Sequence, residues 1–332
     1  MKTPNEAEVL AALAWGPLIT ALEEIVVDSN ATAPARTVHS VPTDSTNDAA
    51  FLIKPGWVTN EIIGVKAVTY FPDNGQQGMS TIQAGYMLFN GKNGALIGAC
   101  DANVLTTRRT AAASAVAAKR LARKDSKHLL IVGSGALAPM SAQAHAYVRN
   151  YNIIEIWGRD EAKAQLVVDD LLRAQIGASG GATDGSGSEE LTIRVSTDLD
   201  ASVSQADVIS CVTGSTVPLV KGALLKDGCH VDLIGSFTPA MRESDDDVVI
   251  RCSGMIFVDT NDALKSGDMS QPLEAGILTT ADVTGNFQDL VSGKHPGRSN
   301  ATEMTLFKSA GFALQDLAAA RLVFAGGKEA EA

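Results

Sequence analysis

The hydrophobic pattern changes character along the 332-residue chain. Between residues 6 and 27, Val9, Leu10, Leu13, Ile19, Leu22 and Ile25 recur at helical spacing until Asp28-Ser29-Asn30 ends the run, which predicts an N-terminal helix. Short apolar runs come next at 50–53, 62–70, 83–89 and 95–99, and Asn90-Gly91-Lys92-Asn93-Gly94 forms a hairpin turn between the last two. They predict an antiparallel domain. Residues 106–123, rich in alanine with charges near both ends, predict a strong helix bridging to a second domain. There the runs 129–132, 153–157, 192–195, 208–212, 230–234 and 255–258 alternate with helical segments, the rhythm of a parallel sheet built from βα units. Residues 177–190 hold glycine and serine with too little apolar material to pack, which predicts a mobile surface loop. Residues 305–324 predict a long apolar helix returning to the first domain, with a frayed tail from 326 to 332.

The first run of the parallel sheet reads His128-Leu129-Leu130-Ile131-Val132-Gly133-Ser134-Gly135-Ala136-Leu137-Ala138. A buried strand leading into Gly-x-Gly-x-x-Ala, with a helix expected over 140–149, suits a pyrophosphate. Gly133 makes the tight turn, Gly135 lets backbone N–H groups approach phosphate oxygens, and small Ala138 lets the helix pack on the sheet. Ser134, Ala136 and Leu137 complete the cofactor-binding turn. The predicted class is α/β: a doubly wound parallel Rossmann sheet, residues 117–304, plus a discontinuous α+β domain, residues 1–116 and 305–332.

Composition narrows the ligands. A balance of 27 basic to 38 acidic residues, net charge -11, disfavours nucleic acid and anionic membrane, so an anionic ligand must be held by local cations. Cys100, Cys211, Cys229 and Cys252 lie far apart, which argues against disulfide and metal frameworks. No apolar run approaches a membrane span and no cleavable leader pattern opens the chain, so a soluble, reducing compartment such as the cytoplasm is expected. His128, His145, His230 and His295 show no triad or metal pattern, and Asp232 and Asp259 read as hydrogen-bonding groups of the sheet.

In NAD-selective folds an acid at the end of the second strand accepts hydrogen bonds from the ribose 2′-OH. Here that strand ends Ile156-Trp157-Gly158-Arg159, and the Arg159 guanidinium suits a 2′-phosphate, favouring NADPH over NADH. Two other readings stay open: Arg159 as a solvated helix-start residue, and Asp160 as the acid one step later. Thr213, at the carboxyl end of its strand, is placed to face the cofactor. Three basic residues stand in apolar or small-residue surroundings: Arg36, Lys66 and Arg109. Arg109 opens the alanine-rich helix, whose oriented N–H groups and positive dipole would help it receive a carboxylate.

Four strings carry a family resemblance: Val104-Leu105-Thr106-Thr107-Arg108-Arg109-Thr110-Ala111-Ala112, Gly133-Ser134-Gly135, Gly235-Ser236-Phe237-Thr238-Pro239-Ala240-Met241-Arg242-Glu243 and Phe307-Lys308-Ser309-Ala310-Gly311. In order and spacing they resemble the ornithine cyclodeaminase/μ-crystallin family, which uses NAD(P) to handle amino acids through their imines. The resemblance implies that Arg36, Lys66 and Arg109 bind the substrate carboxylate. It also implies that Gly235, Ser236 and Lys308 lie near the nicotinamide and that the first domain forms a homodimer. Cyclodeaminases carry an aspartate shortly after the glycine of the fifth nucleotide-domain strand, whereas this chain has no carboxylate from Gly235 until Glu243. That form is similar to Δ1-pyrroline-2-carboxylate reductases. Leu137 stands where many relatives have glutamine, which leaves the turn mechanics intact.

The implied activity is NADPH-dependent reduction of a small cyclic imino acid: Δ1-pyrroline-2-carboxylate to L-proline, with Δ1-piperideine-2-carboxylate to L-pipecolate as a further reaction and NADH as a weaker cofactor. Such an enzyme chiefly orients its reactants. The proton on nitrogen comes from solvent or from His39, Ser236 or Thr238, among which the sequence does not choose. The alternatives are an ornithine cyclodeaminase, an alanine dehydrogenase, or a non-catalytic protein like μ-crystallin that holds NADP and a small ligand.

Overall fold

The structure, a computed structural model, describes residues 1–44, 48–175 and 191–325. The glycine- and serine-rich stretch 177–190 and the tail from 326, expected to be a mobile loop and a frayed end, lie outside the described residues. The helices are α1 (Glu6–Ala12), α2 (Trp15–Val27), α3 (Asn103–Leu121), α4 (Leu137–Val148), α5 (Glu161–Arg173), α6 (Leu199–Gln205), α7 (Asp246–Arg251), α8 (Gly267–Glu274), α9 (Phe287–Val291) and α10 (Ala313–Ala325). The chain divides into two units, Met1–Arg109 with Phe312–Ala332, and Thr110–Gly311.

The first unit carries an antiparallel sheet of β1 (Ala31–Thr32), β2 (Thr37–Val41), β3 (Ala49–Val58), β4 (Ile62–Tyr70), β5 (Ile82–Asn90) and β6 (Leu96–Asp101). Its order is β1-β3-β4-β5-β6, with β2 also paired to β3. Side chains alternate with period two. Lys54, Gly56, Lys66, Tyr86 and Leu88 fall on the buried face, while Pro55, Trp57, Ile63, Val65, Met87 and Phe89 lie on the open one. Glycine lets α10 approach the buried face: a Cβ at Gly56 would sit 3.2 Å from Ala313 Cβ, and one at Gly64 would sit 2.9 Å from Leu317 Cδ1. One expectation needs correction here. The single helix over 6–27 is two helices, bent by 73°. Pro17 has no N–H to give the Leu13 carbonyl and its ring crowds that oxygen, which accepts instead from Arg108 Nε at 3.1 Å and Nη2 at 2.6 Å. The Arg108 guanidinium lies 3.6 Å over the Trp15 ring, a cation–π contact that fixes the corner. Strand β2 is not one of the apolar runs, because Thr37–Ser40 are all exposed and show no apolar alternation.

In the second unit β7 (His128–Val132), β8 (Ile153–Trp157), β9 (Thr192–Val195), β10 (Val208–Cys211), β11 (His230–Leu233), β12 (Ile256–Val258), β13 (Val283–Asn286) and β14 (Thr305–Lys308) form a parallel sheet. The order is β13-β12-β14-β11-β10-β7-β8-β9. Residues 305–308, expected to begin a helix, are instead a strand between β11 and β12. All four of its residues are buried, so no period separates strand from helix, and Gly311 at φ 73° turns the chain before α10 starts at Ala313. Because β7 is flanked by β8 and β10, the strand order reverses there, opening a crevice at the carboxyl ends of the strands. Among the described residues no single helix is long and apolar enough to cross a membrane.

Candidate functional site

The crevice is shaped by glycines with separate duties. Gly133 leaves β7 at φ 133°, and a Cβ there would lie 2.9 Å from Val212 Cγ2. Gly135 has nothing within 4 Å of an added Cβ. Its bareness therefore serves the space in front of it, not the packing behind. Ala136 precedes α4 and no side chain caps that helix; Ala138 N donates to Gly135 O at 3.0 Å and Pro139 has no N–H, so of the first turn the Leu137 N–H remains for an anion. Gly133, Ser134, Gly135, Gly158, Arg159 and Thr213 help line a cavity of ≈ 540 Å³. Leu137 begins α4 and Ala138 is fully buried against the sheet. Exposed Arg159 and Lys163 line the same cavity. Asp160 is engaged as the cap of α5, accepting from Lys163 N at 3.2 Å. A bare phosphate approach, an uncapped helix start and two cations fit an anionic dinucleotide.

Beyond the phosphate turn, a buried carboxylate ties two loops together. Glu243 accepts from Thr213 N at 2.6 Å, Thr213 Oγ1 at 2.9 Å, Gly235 N at 2.9 Å and Ser236 N at 3.1 Å. Burial pushes its carboxyl up to about 7, with Lys308 opposing and Asp268 reinforcing. Gly235 cannot carry a side chain, since a Cβ would fall 2.1 Å from Thr213 O. Lys308, expected at the nicotinamide, is fully buried, and its ammonium donates to Ser236 O at 2.6 Å and Asp268 Oδ2 at 3.2 Å. The register of β14 beside β11 turns that head inward, so it braces the loop instead of facing the cavity. The Ser236 hydroxyl donates to Met241 O at 3.1 Å. Thr238 is half-buried, and its carbonyl accepts from Met241 N and Gly267 N.

In the first unit Lys54, Lys66, Tyr86 and Cys100 form one cross-strand row on β3 to β6. Lys66, 1% exposed, places Nζ 2.6 Å from Asp316 Oδ1 and 3.3 Å from Thr106 Oγ1. Arg109 Nε lies 2.8 Å from the same Asp316 oxygen, and Nη1 donates to Gln315 Oε1 at 2.7 Å. Gln315 and Asp316 stand near the start of α10, whose dipole favours a carboxylate. Burial lowers Lys66 well below the ordinary lysine range, Arg109 adds to that, and Asp316 opposes it. Against the upward push of burial, Arg109 and Lys66 hold the Asp316 carboxyl below its usual range. Two cations share one carboxylate, which leaves surplus positive charge for an anion.

The structure thus brings Lys66 and Arg109 together. Arg36 stands half-buried just before β2, and His39 is exposed on β2 opposite Phe51. Neither joins the described bonds around Asp316. Sequence reasoning missed Asp316, Gln315, Lys163 and Asp268, and took Glu243 only as part of a string. Two of the histidines take part in a buried polar cluster without the arrangement of a catalytic triad, since Ser114 and Asp232 both meet Nε2 of His145. Ser114 Oγ donates to Asp232 Oδ2 at 2.7 Å and lies 2.9 Å from His145 Nε2, while His230 Nε2 sits 2.9 Å from Asp232 Oδ1. All four are fully buried and the serine proton points to the aspartate, so the group fastens α3, α4 and β11 together and exposes no nucleophile. Asp259 accepts from Ser309 Oγ at 2.8 Å and from the Ala310 and Gly311 N–H groups, a hydrogen-bonding role as read from the sequence.

A parallel sheet with a glycine turn at its reversal point defines a Rossmann-type dinucleotide-binding fold. The ornithine cyclodeaminase/mu-crystallin family model matches residues 6–330. The chain belongs to that family. Protein SAR DEFICIENT 4 of Arabidopsis thaliana is 36% identical over 300 residues, 89% of this chain and 87% of that protein. The Delta(1)-pyrroline-2-carboxylate reductase of Colwellia psychrerythraea is 34% identical over 294 residues, 87% of this chain and 88% of its own. Among solved structures, Thermococcus litoralis Delta(1)-pyrroline-2-carboxylate reductase in complex with NADH and L-proline aligns with a TM-score of 0.88 at 25% identity, covering 98% of this chain and 97% of that one.

Proposed function

We propose that this oxidoreductase of the C=N/CH–NH class reduces a small cyclic imino acid with NADPH, converting Δ1-pyrroline-2-carboxylate to L-proline and the six-membered Δ1-piperideine-2-carboxylate to L-pipecolate. The observation that carries the reading is the buried Lys66–Arg109–Asp316 cluster in a chain that also has a dinucleotide cradle. When bound, the nicotinamide supplies a hydride to the imine carbon. Lys66 and Arg109 bind the carboxylate and orient the ring, and their burial excludes water from the charged contact. Arg36 is assigned to the same carboxylate by resemblance alone. Of the three candidate proton donors, Ser236 is committed to the Met241 carbonyl, and the proton is assigned to His39, Thr238 or solvent.

Arg159 together with Lys163 supports the 2′-phosphate of NADPH, with NADH as the weaker cofactor. The open face of the antiparallel sheet, with Ile63 and Met87 each 40% exposed, supports a homodimer in which a second copy covers that face. Four free cysteines suit the reducing cytoplasm.

The test is NADPH oxidation with five- and six-membered cyclic imino acids, with ornithine and with pyruvate plus ammonia as controls. The expected result is stoichiometric NADPH consumption with the cyclic imino acids. Ornithine turnover without net change in nicotinamide absorbance would make the protein a cyclodeaminase. NADPH binding with no turnover of any of these would make it a binding protein.

A further inference from the structure

We propose that the Tyr86 hydroxyl is a further substrate-binding and specificity-determining group, the uncharged donor of the receptor that Lys66 and Arg109 form for the substrate carboxylate. The proposal rests on the reading of that cluster as a carboxylate receptor.

Tyr86 is the cross-strand neighbour of Lys66 and is 2% exposed. Its hydroxyl lies over Gly64: a Cβ there would fall 2.0 Å from the phenol oxygen and 2.8 Å from Cζ. Gly64 is therefore bare so that the hydroxyl can occupy this spot, held between the sheet and α10. The oxygen is not among the fully buried side-chain atoms that lack a partner, so the little exposure the residue keeps leaves this polar tip open to water or a ligand. None of the described hydrogen bonds uses this hydroxyl.

The neighbourhood is short of acceptors. Gln315 Nε2 is buried without a hydrogen bond among the described residues, as is the acceptor Asp316 Oδ2, while Arg109 Nε is already ion-paired to Asp316 Oδ1 at 2.8 Å. With the phenol, two uncharged donors face one acceptor. A carboxylate, which offers acceptor sites and no donor, is the ligand chemistry that removes the deficit. The groups acting on the phenol are Asp316 from α10 and Cys100 from β6; with burial, the larger cause, they push its pKa well above the ordinary value. The phenol thus keeps its proton through the neutral range and serves as a hydrogen-bond donor, not as the source of the proton that reaches nitrogen.

Tyr86→Phe removes the oxygen and nothing else, and its steady-state kinetics with NADPH and Δ1-pyrroline-2-carboxylate test the proposal. The KM for the imino acid should rise roughly ten- to a hundredfold, with kcat nearly unchanged and with NADPH affinity and melting temperature as in the wild type. Pyrrole-2-carboxylate provides the second arm, because its ring nitrogen carries a hydrogen and offers no acceptor, so its inhibition constant should rise in parallel. An unchanged KM would overturn the proposal. So would a raised KM with unchanged pyrrole-2-carboxylate inhibition, which would put the phenol on the ring nitrogen. If the wild type reduces no cyclic imino acid, the proposed function falls separately. Calorimetric binding of pyrrole-2-carboxylate then decides this point: weaker binding by Tyr86→Phe supports the proposal, and equal binding overturns it.

Discussion

Replacing Asp316 by asparagine keeps the shape of the side chain and removes the charge that two cations share. Lys66 Nζ and Arg109 Nε approach one oxygen at 2.6 and 2.8 Å, with side-chain exposures of 1% and 5% against 0% for the aspartate. Breaking a buried pair of this kind leaves uncompensated charge and costs about 3–5 kcal/mol. For a chain of 332 residues, at about 2.1 cal/mol/K of unfolding entropy per residue, that lowers the melting temperature by about 4–7 °C. Lys66 limits the loss by giving up its proton, because burial already lowers it and Asp316 is what holds it up. The pH dependence has a definite sign. A lysine lowered in the folded state weakens the fold below its folded pKa, and the penalty shrinks as pH rises from there towards the unfolded value. Without Asp316 the folded pKa drops further, so the variant should begin to regain stability at a lower pH than the wild type does. The wild type, in turn, should lose the Asp316 contribution as pH falls through that group's lowered pKa, a loss the variant lacks. Thermal unfolding across acidic, neutral and mildly alkaline pH reads both effects. A melting temperature within about 1 °C of the wild type, with the same pH dependence, would refute the reasoning.

Removing both Arg159 and Lys163 as alanines should weaken NADPH roughly ten- to a hundredfold while leaving NADH nearly unaffected, measured by nicotinamide fluorescence titration; equal losses for the two cofactors would remove the 2′-phosphate contact. Glu243→Gln must turn an NH2 group onto backbone N–H donors whichever way the amide faces, so NADPH affinity should fall about tenfold as the Thr213 and Gly235 loops part. Because Glu243 is raised to about 7 in the fold, its contribution to stability is fullest below its unfolded value and is lost as pH rises through about 7. Unfolding of Glu243→Gln should lack that component, and an unaltered pH profile would show that Glu243 does not titrate there.

What the sequence disclosed came from local chemistry. The strands from His128 to Val258 are apolar runs bounded by turn residues, and Gly133 and Gly135 announce a phosphate turn because their spacing has a mechanical meaning. Lys66 and Arg109 stood out as cations among apolar or small neighbours. Asp316 did not, because one acid in an alanine-rich helix looks like solvent-facing decoration until the fold puts it under β4. Lys308 illustrates the converse: its string matched a family pattern, yet strand register buried its head against Asp268. The helix break at Leu13 was missed although Pro17 was in view, since the apolar spacing runs through it. Strand β14 was missed because four buried residues in a row carry no period.

The most direct measurement of the central claim uses NADPH deuterated on the transferable side of the nicotinamide C4, with Δ1-pyrroline-2-carboxylate as substrate and mass spectrometry of the product. The account predicts L-proline carrying one deuterium at C2, formed in step with NADPH oxidation. Unlabelled proline, or retention of the cofactor's deuterium without product, would contradict it.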